Sequence, residues 1–136
     1  MLPKLQKEVK SQSLAQALAE HLQQTREHVA RVEQAFRALE AEPSSGRNEA
    51  MAGLASQHDD NAGNVVEPHL KDLFHAEAAI HTEHLELAGY EAAVTLARTM
   101  DAGEAADLLE QNRADEEHAL RLLRGEAERL AQEASA

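Results

Sequence analysis

Cysteine is missing from this 136-residue chain. That excludes a disulfide framework, a thiolate nucleophile and any cysteine-based zinc or iron–sulfur site. Tryptophan is absent too and aromatics are only 2%, so there is no platform on which nucleic-acid bases could stack. Positive charge is scarce: 13 Lys and Arg stand against 25 Asp and Glu, a formal net charge of −12. Such a field repels phosphates and anionic lipids, so neither a nucleic acid nor a membrane is an expected partner. No run of apolar residues approaches the ~18 needed to span a bilayer. The opening Met1-Leu2-Pro3-Lys4-Leu5-Gln6-Lys7 is too polar for a signal-peptide core, and the expectation is a cytoplasmic protein. Six scattered glycines form no phosphate-binding loop. Strand formers are nearly absent, with Ile80 the sole isoleucine.

What remains is Ala, Leu, Glu, Gln and Arg, the best helix formers. The expected fold class is all-α, one domain over residues 1–136. A short first helix over 2–10 tolerates Pro3 in its opening turn, and Ser11 or Ser13 is placed to cap the next. The second helix is predicted over 14–42, ending before Pro43-Ser44-Ser45-Gly46. A minor helix over 47–58 precedes a loop at 59–64. Long helices follow over 68–100 and 104–133. Long helices with short links favour an antiparallel bundle, and the 43–67 stretch is long enough for a crossover.

Heptad spacing sorts the polar residues. In the second helix Leu14, Leu18, Leu22, Thr25, Val29, Val32, Phe36 and Leu39 form a seam, with His21 just beside it and His28 further round. In the next long helix the seam is Leu73, Ala76, Ile80, Glu83, Leu87, Tyr90, Val94 and Ala97. It carries one carboxylate, Glu83, with His84 and Glu86 on opposite flanks. In the last helix Ala105, Leu109, Asn112, Glu116, Ala119, Leu123, Glu126 and Leu130 place Asn112 and Glu116 inward. A buried carboxylate is costly unless paired, hydrogen-bonded or metal-bound, and inward carboxylates with His on facing helices are how bundles hold cations. Pairing of these acids with Arg98 or Arg113 across helices, or of Glu83 with the Tyr90 hydroxyl, accounts for the same pattern without a metal.

Other arrangements offer less. Asp115-Glu116-Glu117-His118 has helical spacing, but His118 falls outside the seam. Asp72-Leu73-Phe74-His75 has no seam position at either end. Glu77, His81 and His84 make a row at i, i+4, i+7 that flanks the seam. There is no His-Glu-x-x-His and no His followed at i+4 by Glu, which argues against zincin and hemerythrin-type centres. The serines lie in loops and the tail, with no nucleophile elbow.

The order of several segments resembles the YciF-like (YciE/YciF) stress-response family of ferritin-like proteins. Leu2-Pro3-Lys4-Leu5 is similar to the second half of that family's first helix. Glu20-His21-Leu22-Gln23-Gln24-Thr25 through His28 to Arg31-Val32-Glu33 resembles its second. Glu49-Ala50-Met51-Ala52-Gly53-Leu54 resembles its crossover segment. Glu83-His84-Leu85-Glu86-Leu87-Ala88-Gly89-Tyr90 resembles its third helix, and Ala105 to Leu109 with Asp115-Glu116-Glu117 its fourth.

The resemblance implies a ferritin-like antiparallel four-helix bundle with a shortened first helix and a small crossover helix, usually dimeric, and a carboxylate-bridged dimetal site. Glu20, His21, Glu83, Glu86 and Glu116 match the family's polar pattern, although periodicity points Glu20 outward. Two departures stand out. This sequence starts after the Asp-Ala-Glu-like segment that supplies the first helix's Glu in other members, and Gln23 and Gln24 replace acids. A ferritin-like site wants about four carboxylates and two His, so the set is underfilled. The chain is then a degenerate member, receives a ligand from a partner chain, or has lost its N-terminal segment. The resulting expectation is iron or manganese held by Glu83 and Glu116, with His21 and Glu86 beside them, in a stress-related protein with redox or metal-handling chemistry. A homodimer would use the Leu2-Leu5-Val9 face. The alternative is a metal-free scaffold or interaction protein.

Overall fold

The computed structural model describes residues 2–135, in which five helices occur and no strand. They are α1 (Leu2–Glu8), α2 (Gln12–Ala38), α3 (Glu49–Ala62), α4 (Pro68–Thr99) and α5 (Gly103–Ser135). Caps set the starts. The Ser11 hydroxyl accepts the Leu14 amide at 3.3 Å to open α2, and Asn48 accepts that of Met51 at 3.1 Å to open α3. Glu67 accepts that of Leu70 at 2.7 Å, with Pro68 in the first turn of α4 where its missing N–H has no cost.

The largest boundary shifts are at the ends of the second and third helices, the others moving by two residues or fewer. The second helix stops at Ala38 rather than 42, because Glu40 turns left-handed (φ 52°) and the Ala41 amide returns to the Phe36 carbonyl. The 59–64 segment, expected as loop, instead continues α3 to Ala62.

Helix α5 packs on both α2 and α4, while α1 packs on α2 and α4. The four therefore close a ring in which α2 and α4 are diagonal, and α3 lies outside, against α4. Because α1 has seven residues, it fills only one end of its quarter. Its Leu2 and Leu5 join Leu14, Leu18, Ala76, Ala79, Leu123 and Leu130 in a large apolar cluster. Leu2 and Leu5 are buried in the chain's own core and Val9 packs partly buried against it, which leaves little of the Leu2-Leu5-Val9 face exposed. Asp72 fixes this end by accepting the Lys10 and Ser11 amides at 2.9 and 2.7 Å, which closes the break between α1 and α2. A second cluster of Ala35, Ala97, Ala105 and Ala106 fills the far end.

Between the two apolar clusters the sequence order of α2, α4 and α5 places His21, His28, Glu83, Asn112 and Glu116, all buried. The second-helix seam is turned relative to its prediction. Val29 is 58% exposed and Leu39 38%, whereas His21, His28 and Ala35 point inward. Past the end of α1 the predicted seam faces a groove instead of a packed helix, so the stripe facing α5 becomes the buried one. Beside it, a groove of ≈ 630 Å³ runs between α2 and α4, lined by Val32, Phe36, Glu86, Tyr90, Leu96 and Met100 among others.

Candidate metal centre

Three helices supply the polar layer. His21, Glu83, Glu86 and Glu116 each offer one donor atom, and these atoms lie within 4.8 Å of one another. His21 Nε2 is 2.9 Å from Glu83 Oε2 and 3.4 Å from Glu116 Oε2. His28 Nδ1 is 2.9 Å from the other oxygen of Glu116, Oε1. All four side chains in these contacts are at most 3% exposed.

The outward nitrogens are held separately. His21 Nδ1 meets Gln24 Oε1 at 3.3 Å, and His28 Nε2 meets Asp115 Oδ2 at 3.2 Å, an oxygen that also accepts from Arg31 at 2.6 Å. Fixing one imidazole nitrogen by an acceptor leaves the other as a lone-pair donor, the arrangement that orients metal-binding His.

The inward atoms are poorly satisfied. His21 Nε2, His28 Nδ1, both oxygens of Glu83, Glu86 Oε2 and Glu116 Oε2 are buried without a hydrogen bond. The 2.9 Å approaches are ion-pair distances lacking hydrogen-bond angles. Charge is unbalanced as well. Burial, reinforced by nearby Glu116 and opposed by His21, pushes Glu83 up to about 8. Burial likewise raises Glu86 to about 6, with Glu116 adding to it. For His21 burial opposes the charged form, but contact with Glu83 and the field of Glu116 outweigh it and raise the ring to about 9. Glu116 is also opposed by burial, yet contact with His28 and the neighbouring groups hold it below the usual carboxylate range. The layer thus retains protons where a cation would relieve it. Three carboxylates and two imidazoles form a mixed oxygen and nitrogen donor set, suited to hard or borderline ions. These residues fit a metal.

The alternative pairings do not form. Arg98 and Arg113 reach Glu110, and Arg113 also Glu117, leaving Glu83 and Glu116 without an arginine. The Tyr90 hydroxyl accepts from Asn112 Nδ2 at 3.2 Å instead of serving Glu83. Glu20 is exposed and accepts from Gln16. Glu77, His81 and His84 are exposed, and His84 contacts Arg124 at 3.1 Å. His118 is exposed, as its position outside the seam implies. Asp72 and His75, assigned no seam position, are nevertheless buried, because α1 and α3 cover faces of α4 that a single α4–α5 seam does not describe.

Sequence reasoning placed His28 too far round. The signal was its seven-residue spacing from His21, which continues to Ala35 along one stripe. Asp115 and Gln24 were likewise invisible as partners of the two rings. Gln24, read as a lost acid, positions His21.

The fold and this layer define a ferritin-like helical bundle with a buried His/Glu cluster that could hold a metal ion. The chain belongs to the DUF892 family, a domain of unknown function whose model matches residues 1–136. The stress protein YciF of E. coli has a similar structure, at TM-score 0.90 and 25% identity, over 96% of this chain and 83% of that one. YcfI from Rhodopseudomonas palustris is also similar, at TM-score 0.87 and 28% identity, over 90% of this chain and 78% of that one. No curated protein sequence matches the chain. Among the described residues, no helix is long and apolar enough to cross a membrane.

Proposed function

We propose that the layer formed by His21, Glu83, Glu86 and Glu116, joined by His28, binds iron or manganese in a stress-related protein. The observation that carries this reading is the excess of buried donor atoms over hydrogen-bond partners, gathered from three helices around one space. Glu116, with one oxygen toward each histidine, would hold the metal together with both rings. When bound, such an ion would supply redox or metal-storage chemistry. The chain's own residues would hold it, and Asp115 and Gln24 would orient the rings. Glu86 lines the α2–α4 groove as well as the cluster, which gives small molecules a route from solvent. The stress role is carried over from the YciF resemblance.

Association into a homodimer belongs to the same proposal, with its surface reassigned. Leu96 and Met100, 62% and 61% exposed, line the groove and are the apolar residues a second copy would cover.

The test is elemental analysis of freshly purified protein after iron and manganese supplementation. About one or two ions per chain is expected, as in carboxylate-bridged bundle sites. A ratio near zero with both metals would overturn the reading in favour of a metal-free scaffold.

A further inference from the structure

Helix α3 has fourteen residues, yet the only one of them that is buried is a histidine, His58, 4% exposed. Its ring stacks on Phe74 of α4, with centroids 5.0 Å apart and planes inclined by 17°. Its Nε2 lies 2.9 Å from Nδ1 of His75, which is fully buried on α4. A hydrogen bond between two imidazole nitrogens needs one proton on that line. With one proton on His58 Nε2 the bond stands, and a further proton on His58 Nδ1 is met by Asp59 Oδ1 at 3.3 Å. A proton on His75 Nδ1 as well would set two N–H groups head-on and two cations within contact.

We propose that the His58–His75 pair is a proton-operated latch that docks α3 on the bundle and releases it under acidic conditions. The groups facing the pair come from three elements. From α1, Glu8 stands 3.9 Å from His75 Nε2, and Lys4 holds Asp59 at 2.6 Å. From α3 there is Asp59. From α4 there are Asp72 and Lys71, with Glu77 and His81 lining the α3–α4 cleft beside His58. Burial, with His58 adding to it, holds His75 below the ordinary histidine range, while Glu8 and Asp72 oppose. None of these carboxylates is hydrogen-bonded to His75, whose Nε2 has no hydrogen-bond partner. The Lys4–Asp59 pair is half exposed on both sides, too solvated to keep α3 docked alone. Release opens the cleft formed by Leu54, Phe74 and Ala78 with the His58 ring.

The experiment is hydrogen exchange of the full chain, corrected for intrinsic rates, between pH 7.5 and 5.0 in the presence of chelator. Protection of α3 amides should fall by about tenfold per pH unit once the open state binds one proton more than the docked state. Amides of α5 serve as the control and should not follow this slope. The double variant His58→Gln, His75→Asn keeps amides that can hydrogen-bond but cannot titrate, and its α3 protection should lose the tenfold-per-unit slope. Equal pH dependence in the variant, or flat α3 protection in the wild type, overturns the latch. Ring ¹⁵N shifts of His58 and His75 in the unmodified chain provide a second reading that needs no variant. Loss of α3 protection should coincide with the second protonation of the pair, and separation of the two events refutes the proposal.

Discussion

His21 and His28 stand two turns apart on one stripe of α2, their ring centroids 6.3 Å apart, and each meets a different oxygen of Glu116. Each ring is also fixed at its other nitrogen, one by an amide and one by a carboxylate. The inward nitrogens are thereby oriented before any ligand arrives, which lowers the entropic cost of binding.

Glu83→Gln tests the centre directly. Burial pushes the Glu83 carboxyl toward its neutral form, and the amide keeps its shape while removing the anionic donor. Metal uptake should vanish while the midpoint of thermal unfolding of the chelated protein at pH 7 stays close to wild type. A large stability loss with undiminished metal content would mean that Glu83 serves packing alone.

The metal-free protein should lose stability as pH rises from 6 to 9. Glu83 at about 8 and His21 at about 9 both lie above their reference values of 4.5 and 6.5. The native state therefore holds protons that the unfolded chain releases. This contribution is complete below the unfolded values and is lost as pH climbs through the native ones. Metal binding displaces the same protons, so affinity should strengthen over that range. Thermal melts at pH 6, 7.5 and 9, with chelator and with metal, measure both slopes, and a chelated protein equally stable at all three would contradict the charge assignment.

Asp115→Asn leaves every proposed ligand in place but weakens the acceptor that holds His28 Nε2. Loss of such an orienting group costs about 10–100-fold in metal affinity. Competition with a calibrated chelator reads the loss, with circular dichroism to show unchanged helix content. Unaltered affinity would place His28 outside the centre.

Leu96→Glu with Met100→Glu should dissociate a homodimer, since both side chains are mostly exposed within one chain. Sedimentation at micromolar concentration should move from dimer to monomer without loss of helix content. A wild-type monomer, or a variant that stays dimeric, removes the groove from the interface.

The helices were legible because composition and periodicity agree along most of the chain. Glu83 and Glu116 stood out as carboxylates in otherwise apolar rows. His28 did not, because its inward turn depends on α1 ending at Glu8, beyond which the later seam residues of α2 line a groove and the stripe toward α5 is the one covered. The burial of His58, Asp72 and His75 was hidden for a related reason: a heptad describes one contact face, whereas the first half of α4 meets α1, α3 and α5. Of the two non-glycine left-handed residues, Glu40 and Asp101 (φ 52° and 57°), Asp101 lies where Asp101-Ala102-Gly103 marked the stop of α4, whereas Glu40, which terminates α2, gave no composition signal.

The division of the apolar core into two clusters has a mechanical consequence. Side chains at the Leu5–Leu18 end and at the Ala35–Ala106 end never share a neighbour in one cluster. Packing defects introduced at opposite ends should therefore combine additively in the chelated protein. An ion ligated by α2, α4 and α5 at once would weld the halves into a single rod, and the same defects would then be felt along its whole length.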